Sequence, residues 1–204
     1  MGARVAVFDF GKVIVDWDPA RAVAHLFETR DEARTALERM GFGSWNVEQD
    51  RGRPWEDGFL AAPDERAREV FRAYRDRIDV AHEPAVPGTA ALIERLHAEG
   101  VPLYGLTNGT ALSAAATRRH HPVVAHMRDV VVSAEQGVMK PERAIYDILL
   151  SRIGRPAREV AFVDDVAANV EGARAAGMRG HRFTGAAGLE AFLLDEGLLR
   201  AEAP

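Results

Sequence analysis

Asp9, Thr107, Lys140, Asp164 and Asp165 are the residues whose types and placement suit chemistry. Asp9 closes the apolar run Val5-Ala6-Val7-Phe8. Thr107-Asn108 close Tyr104-Gly105-Leu106, and Asp164-Asp165 close Ala161-Phe162-Val163. Lys140 stands in the string Gly137-Val138-Met139-Lys140-Pro141. An apolar run ending in a polar group is how a parallel strand delivers a side chain to the carboxyl edge of a sheet, where open α/β folds place their sites. A carboxylate, a hydroxyl, an ammonium and a carboxylate pair together suit movement of a phosphoryl group with a magnesium ion.

Each group has a chemical reading and a plainer one. A carboxylate at a strand end can attack phosphorus and form an acyl phosphate that water then hydrolyses. Asp9 alone could equally cap a turn, and the other three segments tip the balance toward the nucleophile. Thr107 offers a hydroxyl beside backbone N–H groups at a strand-to-helix turn, which makes an anion site. It could also be the N-cap of the next helix, and one threonine can do both. Asp164 and Asp165 repel each other and call for a cation. Magnesium takes few protein carboxylates and keeps several waters, so Asp165 is assigned as a direct ligand and Asp164 as an outer one. Lys12 and Lys140 are the only lysines among 26 basic residues. A compact point charge suits a phosphate or carboxylate clamp. Chance remains an open explanation for Lys12.

Bulk properties narrow the classes. The chain has 204 residues, 47% of them hydrophobic, enough for a core domain with a small insert. Net charge is −5 with both signs interspersed, so no basic stripe favours nucleic acid. No apolar run is long enough to span a membrane, and no charged leader with a cleavage site precedes the first strand pattern. Cysteine is absent, which removes disulfides and thiolate sites and fits a cytoplasmic protein. His120-His121 are adjacent rather than four apart, so zinc is not suggested.

Positioning these groups requires strands alternating with helices. Apolar runs predict strands at 4–10, 101–106, 130–132, 160–163 and near 180–183. Helical spacing marks Thr89 to Ala98, Glu142 to Ile153 and Asn169 to Ala176, each followed by glycine within two residues. The result is an α/β fold, a doubly wound parallel sheet. Residues 16–84 break the rhythm with helices alone. One carries Ala20, Val23, Ala24 and Phe27. A second opens on the capping-box pattern Thr29 to Glu32. A third has Pro63 at its start and Ala67, Val70, Phe71, Tyr74 and Ile78 on one face. Trp17, Trp45 and Trp55 all lie in this region, either as its core or with one or two facing a cleft.

The order of the four segments resembles the haloacid dehalogenase (HAD) superfamily, whose members are mostly phosphatases. The resemblance runs from Asp9 to about Gly177. It implies a Rossmann-like core of 1–15 and 85–204 with a helical cap of 16–84. It makes Asp9 the nucleophile and Lys140 the cation that neutralises it. Magnesium would be held by Asp9, the Gly11 carbonyl, Asp165 and Asp164. Thr107, Asn108, Gly11, Lys12 and Asp50 are the expected substrate contacts. The partner would be a small phosphorylated molecule, and the chain a monomer or homodimer.

The first motif reads aspartate, apolar, glycine, which resembles glucose-1-phosphate phosphatase-like proteins. The family's usual second aspartate, the general acid, is replaced by Gly11. Loss of such an acid typically costs ~10²–10⁴-fold in rate. An acidic leaving group, a donor from the cap (Asp50, Glu48 or His25), or slow turnover would each accommodate the loss. Two other functions stand beside a phosphatase. A 2-haloacid dehalogenase needs no metal and is disfavoured by Asp164-Asp165 and Gly11. A phosphometabolite-binding protein of low activity is favoured by Gly11 and disfavoured by the intact Asp9, Lys140 and aspartate pair.

Overall fold

The computed structural model describes residues 2–201. One sheet holds strands β1 (Val5–Phe8), β2 (Leu103–Thr107), β3 (Met127–Val132), β4 (Val160–Asp164) and β5 (Arg179–Arg182). All neighbours are parallel and the order is β3-β2-β1-β4-β5. The chain lays β2 and β3 on one side of β1, then returns to lay β4 and β5 on the other. The carboxyl ends of β1, β2 and β4 therefore meet where the winding reverses, and that is the crevice of an open α/β sheet.

The central strands are apolar throughout because both of their faces are covered. Side chains alternate between the faces. Ala6, Phe8, Leu103, Ala161 and Val163 pack against α7 (Thr89–Ala98) and α12 (Ala186–Asp195). Val5, Val7, Leu106, Val160 and Phe162 pack against α10 (Arg143–Ile153) and α11 (Ala167–Ala175). Two further helices follow strands at the carboxyl edge, α8 (Ala111–His120) after β2 and α9 (Ser133–Gln136) after β3.

Residues 19–82 form six helices: α1 (Pro19–Val23), α2 (Arg30–Arg39), α3 (Phe42–Asp50), α4 (Trp55–Leu60), α5 (Glu65–Asp76) and α6 (Ile78–His82). They surround an apolar cluster of their own, to which α8 adds Ala116. Aromatics fill it. Trp45 lies 4.4 Å from Phe71 between ring centroids and donates its Nε1 proton to the Gly58 carbonyl at 2.6 Å. The insert leaves and re-enters the core side by side. Asp16 N donates to Pro84 O at 2.8 Å, and Val86 N to Ile14 O at 2.9 Å.

Local details depart from the sequence expectations. The first insert helix stops at Val23 and tightens into a 3₁₀ turn over Ala24–Leu26. At α2, Thr29 accepts from Glu32 N as expected, but the Glu32 carboxylate reaches back to Glu28 N instead of closing the box. Helix α5 begins after Pro63, capped by Asp64, whose carboxylate accepts from Ala67 N at 2.8 Å. Helix α8 follows β2 as expected and Ile78, expected on the third insert helix, opens α6 instead, while α3, α4, α9 and α12 have no counterpart in the sequence reading. Their apolar residues are too few, too short in run or too alanine-rich to set a clear period. No helix among the described residues is long and apolar enough to cross a membrane.

Gly105 connects fold to site. A Cβ there would stand 2.9 Å from Phe10 Cε1 and 3.1 Å from Val130 Cγ1. The Phe10 ring follows Asp9 directly, so filling its seat disturbs the nucleophile's loop. Gly105→Val should cost ~1–3 kcal/mol by overpacking, measured by urea unfolding. An unchanged midpoint would show that Phe10 is not seated against β2.

Candidate active site

Lys140 organises the crevice. Its ammonium is buried, 2.9 Å from Asp9 Oδ1, 2.7 Å from Asp164 Oδ2 and 2.9 Å from the Leu106 carbonyl. Three donors thus meet three oxygens, one from the end of each central strand, and the ammonium is fully satisfied. Asn108 fixes the lysine's backbone from both sides. Its Oδ1 accepts from Lys140 N at 2.9 Å and its Nδ2 donates to Lys140 O at 3.0 Å.

Asp9 is held by one oxygen. Oδ1 accepts from Phe10 N at 2.7 Å as well as from Lys140. Among the described residues no hydrogen-bond partner reaches Oδ2. Asp164 is more heavily committed. Oδ1 accepts from Val166 N at 2.8 Å and from Asn169 Nδ2 at 3.0 Å, and Oδ2 takes Lys140 and the same amide. Tyr146 steadies that arm by donating to the Asn169 carbonyl at 2.7 Å.

The charges do not balance. Asp9, Asp164 and Asp165 each offer a carboxylate oxygen within 4.8 Å of the others, and no other such group occurs among the described residues. Three carboxylates face one ammonium. Burial raises the Asp9 carboxyl; Lys140 opposes this and Asp164 adds to it, leaving it at about 7. Burial and Asp164 likewise raise Asp165. Burial alone would lower Lys140, but Asp9 and Asp164 outweigh it and hold its pKa above the ordinary lysine value. A divalent cation would remove the excess negative charge, so the donor set fits one. The lone pairs of Asp164 are largely spent, which suits an outer position and leaves Asp9 and Asp165 as the freer ligands.

A cavity of about 110 Å³ opens in front of Asp9, lined on the core side by Gly11 and Thr107 and on the insert side by Trp17, Asn46, Asp50 and Tyr74. Thr107 is not the N-cap of α8. Thr110 is, exchanging hydrogen bonds with Ser113 in a capping box. The Thr107 hydroxyl makes only a long 3.5 Å contact with Asn108 O, so it is left for the cavity. Gly11 lines the cavity, and a Cβ there would meet nothing within 4 Å. Trp17 reaches the cavity while Trp45 and Trp55 pack inside the insert.

Asp50 ends α3 rather than lying on a surface turn. Asn46 Nδ2 donates to its Oδ2 at 3.0 Å, and Ser133 Oγ donates to its backbone carbonyl at 2.6 Å. Arg51 pairs with Glu142 at 2.7 Å beside it. Core residues thereby pin the part of the insert that faces Asp9. Burial and the Asp9 charge, opposed by Lys140, raise the Asp50 carboxyl to about 7. Glu48 and His25 are exposed and outside this cavity. Lys12 is also elsewhere. Its ammonium is drawn to Asp16 at 2.7 Å, and it lines a separate cavity. Sequence reasoning passed over Ser133 and His82. Ser133 follows an apolar run as the other site residues do, a signal that was available.

The buried carboxylates carry a pH signature. Unfolded, Asp50 releases its proton near pH 4; folded, it holds it to about 7. Across that window the folded state binds the extra proton, so this group's contribution to stability falls as pH rises. Burial lowers His82 to about 4 and also lowers His181, and these titrate with the opposite sign. The difference between wild type and Asp50→Asn isolates the carboxyl. In EDTA that difference in unfolding free energy should move against the wild type from about pH 4 to about pH 7. A difference independent of pH contradicts a buried, raised Asp50.

Comparison with known proteins agrees with this geometry. The chain is 26% identical over 188 residues to a sesquiterpene phosphatase, astK, of Aspergillus oryzae, covering 89% of this chain and 90% of that protein. It is 27% identical over 194 residues to the phosphatase MT3486 of Mycobacterium tuberculosis, covering 89% and 87%. A HAD family enzyme of Bacteroides thetaiotaomicron, solved with magnesium and inorganic phosphate, shares the fold with a TM-score of 0.70, 16% identity and coverage of 90% and 96%. The L-2-haloacid dehalogenase of Xanthobacter autotrophicus shares it at 0.65, with 19% identity and coverage of 99% and 92%. The family model for haloacid dehalogenase-like hydrolases matches residues 3–177. With Asp9, Lys140 and the Asp164-Asp165 pair all inside that span, the chain belongs to the haloacid dehalogenase-like hydrolase family.

Proposed function

We propose that the chain is a magnesium-dependent phosphomonoesterase acting on a small phosphorylated metabolite through an aspartyl phosphate. The carrying observation is the Lys140 ammonium held between Asp9 and Asp164. It fixes one oxygen of Asp9 and leaves the other free toward the cavity. Asp9 Oδ2 attacks phosphorus, the bond to the leaving oxygen breaks, and its electron pair stays with that oxygen. Water then attacks phosphorus, phosphate departs, and the Asp9 carboxylate returns. Thr107 donates to a phosphoryl oxygen. Asp9, Asp165 and the Gly11 carbonyl would hold magnesium, with Asp164 behind, and the ion supplies charge neutralisation at the phosphoryl group. The two phosphatase relatives support the reaction class. We read residues 16–84 as the cap that selects the leaving group.

Asp50 takes the proton-donor role that Gly11 cannot fill. It lines the cavity with Asp9, and of the insert's three candidates it alone does so. Its raised carboxyl is suited to donation near neutral pH. A dehalogenase has no use for the aspartate pair, and a mere binding protein has no use for an intact nucleophile beside it.

Three experiments test this. Phosphate release from a panel of sugar, nucleotide and acyl phosphates should require magnesium, cease in EDTA, and vanish in Asp9→Asn with the fold intact. Magnesium should raise the melting temperature by mass action, and Asp165→Ala should remove most of the rise. Hydrolysis by Asp9→Asn at a rate near wild type sinks the nucleophile. For the donor, Asp50→Asn should slow alkyl phosphates by ~10²-fold or more while aryl phosphates change little. Gly11→Asp should restore part of the loss, since the space at Gly11 is open. Equal slowing of both classes would assign Asp50 to binding alone.

A further inference from the structure

Trp17 borders two cavities. One is the site in front of Asp9. The other, of about 440 Å³, lies among residues 12–21 and the helices α2 and α3. Trp17 also packs against both the core cluster and the insert cluster, so it stands where the two cavities and the two parts of the chain meet. The cavities share a helix as well. Phe42, Asn46 and Asp50 recur every four residues and so fall on one face of α3. Phe42 lines the larger cavity, whereas Asn46 and Asp50 line the smaller. At the rise of an α-helix, Phe42 and Asp50 are ~12 Å apart along that face.

The wall of the larger cavity is mainly apolar. Half-buried Trp17 and Pro19 line it together with Leu37 and Phe42. The four cations that line it are each paired. Lys12 and Arg21 hold Asp16, both at 2.7 Å, and Arg30 and Arg34 hold Asp18 at 2.9 and 3.3 Å. Recognition there falls to apolar surface, which binds by shedding water. We infer that this cavity is a leaving-group subsite, and that the substrates are phosphate monoesters of elongated apolar alcohols rather than of compact polyols. The phosphoryl group sits at Asp9, and the chain attached to it runs along α3 past Trp17. This rests on the phosphatase reading and deepens it by naming the substrate class.

The test compares octyl phosphate with ethyl phosphate. Their leaving alcohols are alike in acidity, so the ratio of their kcat/KM values reports contact with the chain beyond phosphorus. Each buried methylene is worth about fourfold in binding, and wild type should favour octyl phosphate by about 10-fold or more once ordering costs are met. Gly43 lines the larger cavity, and a Cβ there would meet nothing within 4 Å, so a side chain can be added without displacing a neighbour. Gly43→Leu should occupy the subsite and bring the ratio to within about threefold of unity. Should that variant not fold, Gly43→Ala should lower the ratio in part. Equal wild-type rates for the two esters would overturn the inference, as would a ratio that substitution of Gly43 leaves unchanged. A binding arm separates this from the phosphatase reading. In Asp9→Asn, calorimetry in magnesium should show octyl phosphate bound about 10-fold or more tighter than ethyl phosphate, and adding Gly43→Leu should remove the difference. Hydrolysis of neither ester by wild type counts against the phosphatase reading alone. Equal affinity for the two esters in Asp9→Asn counts against the subsite.

Discussion

One buried ammonium sets the terms for this molecule. Lys140 has almost no contact with water, and its stability as a cation depends on Asp9, Asp164 and the Leu106 carbonyl. Removing the ammonium would leave two buried carboxylates uncompensated, typically a loss of ~3–5 kcal/mol. The three partners come from the ends of β1, β4 and β2, so the sheet order is what brings them within reach. The arrangement is costly in itself. Two carboxylates and an ammonium leave net negative charge in a desolvated place, and Asp165 adds to it. That surplus is the physical basis for a divalent ion at this site.

The insert is coupled to the same point. Ser133 holds the Asp50 carbonyl while accepting from Gly109 N at 3.0 Å, beside Thr107 and Asn108. The Arg51–Glu142 pair lies two residues from Lys140 in sequence. Helix α3 therefore touches the core through the very loops that carry Thr107 and Lys140. His82 enters from the other side, where α6 lies on α8. The cavity between these fixed points is about 110 Å³ and is lined by both polar and aromatic side chains.

Much of the core was legible in the sequence because buried parallel strands read as short apolar runs with a polar residue at the end. Asp9, Thr107 and Asp164 announced themselves that way. Lys140 stood out because the chain otherwise uses arginine. The insert was less legible. Its apolar cluster depends on Phe42, Trp45 and Phe59, spread over short helices whose periods are too brief to read. Lys12 shared a motif with Gly11, yet its partner Asp16 stands four residues on and directs it elsewhere. Asn108 lines the cavity with Asp9, and its amide also holds the Lys140 backbone, a role that spacing does not reveal. His82 could not be found from spacing at all. It lines the cavity from α6, 3.1 Å from the hydroxyl of Thr117, 35 residues away.

The most direct measurement is whether phosphorus is ever bonded to Asp9. Wild type mixed with ³²P-labelled acetyl phosphate and magnesium, then quenched in acid before one turnover, should yield labelled protein. Hydroxylamine should release the label, as it does from an acyl phosphate, and peptide mapping should place it at Asp9. Phosphate released with no labelled protein at any earlier time, or a label on another residue, would contradict the account.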